Sequence, residues 1–224
     1  MVQLSSDSIR LDAALCEGSA RLCYVLVPGG LCDDACKWAQ EASASNACSI
    51  VVVSGMDWNR DMTPWPAKGV MKKEKPFAGG APEFLSRLEN ELIPGLEKEL
   101  GINPSERYLM GISLSGLFAV WSIFGTGLFD GVGSVSGSLW YDGFSEWVAG
   151  QSPASGTRVV MTLGEREKNA SDKRLASVQD RTGDVLRALA SKGVPAELEM
   201  VEGTHFSPFQ PRFDLVLSRL LAGE

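Results

Sequence analysis

One serine, one histidine and a few carboxylates in this chain have the types and spacing to make a hydroxyl into a nucleophile. Ser113 lies in Gly111-Ile112-Ser113-Leu114-Ser115-Gly116, between the apolar runs Tyr108-Leu109-Met110 and Leu117-Phe118-Ala119-Val120-Trp121. A buried strand that turns sharply into a buried helix, with serine at the apex and small residues around it, is a nucleophile elbow. Strained backbone at the apex presents the hydroxyl clear of the chain. Side chains larger than serine at the small positions would collide with the neighbouring strand and helix. Ser115 stands where the short G-x-S-x-G pattern has its second glycine, so the string is a relaxed form with Gly116 following. An ordinary strand-to-helix loop would also use Gly and Ser. The apolar runs on both sides favour the elbow.

A serine hydroxyl needs a base to take its proton and a carboxylate to hold that base in one tautomer. His205 is the one histidine of the chain. It follows the apolar-polar alternation Ala196-Glu-Leu-Glu-Met-Val201, in a loop at the carboxyl edge of a predicted strand, where ligands bind in open α/β sheets. For the carboxylate, the run Arg158-Val-Val-Met-Thr-Leu163 feeds Gly164-Glu165-Arg166-Glu167, again a carboxyl-end loop. Glu165 and Glu167 both qualify there, and Asp142, after the preceding strand, is a third candidate. The order serine, acid, histidine along the chain fits a hydrolase elbow. An oxyanion would be met by the backbone N–H of Leu114 and one from Pro28-Gly29-Gly30-Leu31, with Gly30 or Leu31 as donor.

These residues need a scaffold that gathers strand ends at one edge. Arg21–Val27 and Ser49–Ser54 are continuous apolar runs suited to strands buried on both faces. Helices are predicted over Asp33–Ser45, Ala81–Leu100 with a kink at Pro94, Ser145–Ala149, Ser171–Ser191 and Phe209–Leu221. Further strands are predicted over Val132–Ser136, Arg158–Leu163 and Ala196–Val201. Strands alternating with helices imply a mostly parallel sheet with helices on both faces. Residues 1–20 allow one or two short edge strands, and Gly55–Gly80 reads as a long loop without an element of its own. With no repeat or linker, residues 1–224 read as one α/β domain.

Composition narrows the partners. The formal charge is −7 and the sequence pI about 4.9, which disfavours nucleic acid and anionic membrane surfaces. No run of about 20 apolar residues is present to span a bilayer. The start, Met1-Val-Gln-Leu-Ser-Ser-Asp-Ser8, lacks the pattern of a signal peptide. Five cysteines, all within the first quarter, read as reduced thiols of a cytoplasmic protein. Cys32 and Cys36 would share a helix face, but no second histidine completes a metal site, so no metal is expected.

The ordered set also resembles the putative esterase family, whose relatives include esterase D, feruloyl esterases, enterochelin-esterase type hydrolases and mycolyltransferases. The set is the strand leading to Gly29-Gly30-Leu31, then Asp57-Trp-Asn-Arg-Asp-Met-Thr-Pro-Trp-Pro-Ala67, the elbow, Ser136-Gly-Ser-Leu-Trp140, Gly164-Glu-Arg-Glu167 and Glu202-Gly-Thr-His-Phe206. The resemblance implies an α/β-hydrolase fold and a serine carboxylesterase acting through an acyl-enzyme on a small-molecule ester, without cofactor. It implies Ser113 as nucleophile, His205 as base, Glu167 as acid, and Leu31 with Leu114 as oxyanion donors. Trp58, Trp65 and Trp140 would then stand near the site, as an aromatic wall for substrate or as loop anchors. Arg60 and Asp61 would pair with each other or touch substrate, and Lys72, Lys73 and Lys75 would form a solvated loop. The chain departs from the family at Gly137, where many relatives have Pro, and at Ser115. The short stretch before residue 21 implies a trimmed fold without outer antiparallel strands. The same machinery would also suit an acyltransferase, and a catalytically inactive binding module is the third reading.

Overall fold

The computed structural model describes residues 1–70, 75–154 and 156–222. Lys72 and Lys73 lie outside the described residues, and Lys75 is exposed. The strands are β1 (Val2–Ser6), β2 (Ile9–Ala14), β3 (Arg21–Leu26), β4 (Ser49–Ser54), β5 (Pro66–Ala67), β6 (Phe77–Ala78), β7 (Glu106–Ile112), β8 (Gly131–Val135), β9 (Arg158–Gly164) and β10 (Ala196–Val201). The helices are α1 (Cys32–Asn46), α2 (Trp58–Asp61), α3 (Ala81–Arg87), α4 (Ile93–Leu100), α5 (Leu114–Ser122), α6 (Phe144–Gly150), α7 (Lys173–Ala176), α8 (Val178–Ser191) and α9 (Gln210–Leu221). Eight strands form one sheet in the order β1-β2-β4-β3-β7-β8-β9-β10, while β5 and β6 make a separate two-stranded ribbon. Along the sheet from β4 to β10 the pairing is parallel throughout; β2 pairs antiparallel with both β1 and β4, so it alone runs against the other strands.

The continuous apolar runs mean what the pleat requires of them. In β3, Leu22, Tyr24 and Leu26 pack into the core under α3, α5 and α8, while Cys23 and Val25 pack into the opposite core under α1 and α9. Successive side chains point to opposite faces, so a strand buried on both has no polar position.

Four expectations are corrected. The outer antiparallel strands are present: β1 and β2 form a hairpin through Asp7 (φ 51°), and Ile9, Leu11 and Ala13 bury one face of β2 beside β4. The long loop after β4 contains α2, capped by the Asp57 carboxylate, and the β5–β6 ribbon. The predicted helix over Ala81–Leu100 is interrupted by a wide π turn at Leu88–Leu92. Pro94 cannot donate to Asn90, and its ring crowds that carbonyl, so the preceding turn widens. The predicted helix over Ser171–Ser191 likewise divides into α7, capped by Asp172, and α8.

Candidate active site

The elbow is built from backbone strain held in place by its neighbours. Ser113 sits at φ 59°, ψ −120° between β7 and α5, a conformation that costs a non-glycine residue about 1–3 kcal/mol. Its N–H donates to Val135 O (3.1 Å), and its carbonyl accepts from Ser138 N–H (2.9 Å) and Leu117 N–H (3.1 Å). Ser115 explains its own departure from glycine. Its buried hydroxyl accepts from Ile112 N–H (2.9 Å) and reaches Leu26 O at 2.7 Å, pinning the elbow to β3. A Cβ at Gly137 would stand 2.1 Å from Ser134 Oγ, so any side chain there requires Ser134 to move.

His205 and Glu167 arrive from the next strand ends. The pairing of β9 with β10 continues beyond both strands through Glu165 N–H to Val201 O (2.9 Å) and Arg166 N–H to Gly203 O (3.0 Å). The chain then turns through a 3₁₀ helix at Glu167–Asn169. This turn buries Glu167 and leaves Glu165 exposed. His205 Nδ1 lies 2.9 Å from Glu167 Oε2, and its Nε2 lies 3.2 Å from Ser113 Oγ. The other carboxylate oxygen, Oε1, accepts from Gly164 N–H at 2.8 Å. Burial raises the Glu167 carboxyl, but hydrogen bonds from His205, Gly164 and Ser136 outweigh it and hold the group below the ordinary glutamate range. An ionised carboxylate only accepts, so Nδ1 carries the proton and Nε2 is free to accept from the serine. Asp142 is not part of this chain of bonds: its carboxylate is paired with Arg174 at 3.0 Å.

Leu114 opens α5, where the helix offers its N–H no partner, and the positive end of the helix dipole points at the same spot. Leu31 is different. Its N–H donates to Pro28 O at 2.9 Å within the 3₁₀ turn Gly29–Leu31, so this amide is already committed. Gly30, in the same turn, is exposed.

Two depressions meet at Ser113 and His205, with Trp58 and Phe206 in the walls of both. One is an apolar cavity of about 280 Å³, lined also by Val70, Phe77, Trp140, Leu175 and Val178. The other is a groove of about 520 Å³ running past Leu31, Asp34 and Ser207 to Gln210. Trp65 lines neither. It packs against Tyr141, Phe144 and Trp147 and donates to Asp142 O at 3.0 Å, so it anchors its loop and is no substrate wall. Arg60 and Asp61 pair at 3.5 Å.

Sequence reasoning missed three polar residues. Ser138 Oγ stands 3.3 Å from Ser113 Oγ, and Ser136 and Arg212 lie behind Glu167. Arg212 had a signal: it sits among Phe209, Phe213 and Val216 on the buried face of α9. Among the described residues, Asp12, Cys32 and Cys36 form the one cluster of metal-type ligands, within 4.8 Å of one another. Arg10 already holds the Asp12 carboxylate at 2.6 Å, and burial pushes the Cys36 thiol up to about 12. Both features oppose metal binding there.

Residues 34–220 match the family described as Putative esterase. A Bacillus subtilis (strain 168) protein described as Uncharacterized protein YbbA is 31% identical over 137 residues, 59% of this chain and 55% of that protein. The aligned stretch thus spans little more than half of that relative. The IroE-like serine hydrolase from Shewanella oneidensis superposes with a TM-score of 0.76 at 20% identity, over 98% of this chain and 78% of its own. Siderophore hydrolase EstA from Aspergillus nidulans gives 0.72 at 20% identity, over 98% of this chain and 93% of its own. At such identities the structures speak for the fold. No helix among the described residues is long and apolar enough to cross a membrane. With the family match covering most of its length and the α/β-hydrolase fold beneath it, the chain belongs to the Putative esterase family.

Proposed function

We propose that the chain is a serine carboxylesterase that works through an acyl-enzyme on Ser113. The observation that carries this reading is the unbroken sequence of hydrogen bonds from Ser113 through His205 to Glu167, at 3.2 and 2.9 Å. Ser113 Oγ attacks the ester carbonyl carbon while His205 Nε2 takes its proton. Leu114 N–H, with a second donor from the Gly29–Leu31 turn, holds the oxyanion. Collapse expels the alcohol, which leaves with the proton from His205. Water then repeats the cycle against the acyl-enzyme, releases the acid and returns Ser113. Glu167 stays ionised and orients the imidazole. The apolar cavity beside Trp58 and Trp140 suits the acyl group, and the open groove suits the alcohol. An acceptor alcohol entering the same groove would give acyl transfer instead of hydrolysis, and product analysis with added alcohols separates the two.

The test is labelling with a fluorophosphonate followed by mass mapping. One adduct, on Ser113, is the expected result. An adduct elsewhere would overturn the reading by moving the nucleophile, and none on folded protein would leave a binding module on a hydrolase fold.

A further inference from the structure

Behind the acid lies a charge that the proposed chemistry does not use. Arg212 is 4% exposed, yet a buried guanidinium is costly unless its donors are satisfied. Its Nη1 donates to Ser136 Oγ at 2.5 Å and lies 3.5 Å from Glu167 Oε1. Its Nη2 donates to Thr204 O at 2.9 Å and reaches Glu202 O at 3.5 Å. One side chain from α9 therefore touches the turn after β8, the acid of the loop after β9, and the histidine loop after β10.

The surroundings are shaped for it. A Cβ at Gly164 would stand 2.8 Å from Gly203 O, 3.0 Å from Glu167 Oε1 and 3.1 Å from Arg212 Nη2, so glycine lets the acid loop pack closely against the histidine loop and the guanidinium. Ser136 is fully buried and held at φ 47°, a left-handed conformation that costs a serine about 1–3 kcal/mol. Its hydroxyl accepts from Arg212 and so has its own proton to give, and its hydrogen bond is among those that hold the Glu167 carboxyl down.

We propose that Arg212 and Ser136 are positioning residues for the acid–base pair, with the guanidinium fixing the Glu167 carboxylate relative to the loop that carries His205. This rests on the Ser113–His205–Glu167 reading. The chain of polar contacts then runs Arg212, Glu167, His205, Ser113, with Ser136 held on the same guanidinium nitrogen. Without Arg212 the two loops lose their common tie. A displacement of about 1 Å in catalytic geometry costs on the order of 10²-fold in rate.

The alternative is a buried charge that serves only to fill α9. Arg212→Met separates the two, because it keeps the length and removes the donors; removing one partner of a buried ion pair is destabilising, so turnover is compared per folded protein. Ester turnover should be measured on wild type, Arg212→Met, Arg212→Lys and Ser136→Ala, per folded protein judged by circular dichroism and thermal melting. The expected result is a kcat lower by about 10²-fold in Arg212→Met at nearly unchanged KM, partial recovery in Arg212→Lys, and a smaller kcat loss in Ser136→Ala. Should Arg212→Met not fold, the kcat of Arg212→Lys and Ser136→Ala decides. Variants that turn over within twofold of wild type overturn this inference alone. A wild type that neither hydrolyses esters nor takes the fluorophosphonate overturns the esterase reading with it.

Discussion

Glu167 Oε2 lies 2.9 Å from His205 Nδ1, whereas Glu165, two residues earlier in the same loop, is exposed to solvent. The difference follows from where the β9–β10 ladder ends. Glu165 is still paired with Val201, and the turn that begins after Arg166 folds Glu167 back beneath Gly164. Glu167→Gln is therefore expected to lose on the order of 10⁴ in kcat, as for the orienting acid of a related triad. Glu165→Gln and Asp142→Asn should stay within about tenfold of wild type by the same comparison. Steady-state kinetics on the three folded variants checks the ranking, and a larger loss in Glu165→Gln would reassign the acid.

Acid stability gives a second handle on the same carboxylate. Its folded value lies below the ordinary glutamate value of about 4.3. A depressed carboxyl contributes stability above the unfolded value and loses it as pH falls through the folded one. Wild type should therefore melt above Glu167→Gln at pH 5, and the gap should narrow as pH falls below the ordinary glutamate value. Melting curves across that window are the measurement; a gap that is flat or grows on acidification would contradict a depressed carboxyl.

The crowding at Gly137 predicts a coupled pair. Ser134 Oγ is buried without a hydrogen-bond partner among the described residues, and it is the atom that a side chain at 137 would strike. Gly137→Ala should destabilise by about 1–3 kcal/mol, Ser134→Ala should be close to neutral, and the double variant should recover most of the loss. Chemical denaturation of the four proteins closes the cycle. Additive effects would mean that the two residues do not compete for the same space.

The apolar cavity predicts a limit on the acyl chain. Ala170 lines it beside Leu175 and Val178 and is partly buried, so a larger side chain there would occupy the acyl space with little disturbance of the core. Ala170→Phe is expected to lower kcat/KM for p-nitrophenyl octanoate by at least tenfold while leaving the acetate within about threefold. Equal losses on both esters would place the acyl group in the groove instead.

How much of this was legible in the chain depends on the range of the interaction. The proximity of Ser113 and His205 was legible in residue type and order, because one elbow and one histidine offer few other pairings. The alternation of strands and helices was legible for the same reason: the pattern is local and repeats along the chain. Over residues 1–20 short edge strands were legible as an allowance only, since the apolar face of β2 gains its burial from β4, some forty residues later in the chain. The spacing of Glu165 and Glu167 could not choose the acid, because the choice depends on how far two strands remain paired. Neither the spent amide of Leu31 nor the packing of Trp65 against Tyr141 and Trp147 is written in any short string. Arg212 is the clearest case. A lone arginine on an apolar helix face signals only that a partner exists, and three loops from separate strand ends must converge before that partner can be named. Local patterning determined the elements and their order; the contacts that couple one strand end to the next arose only when the sheet was assembled.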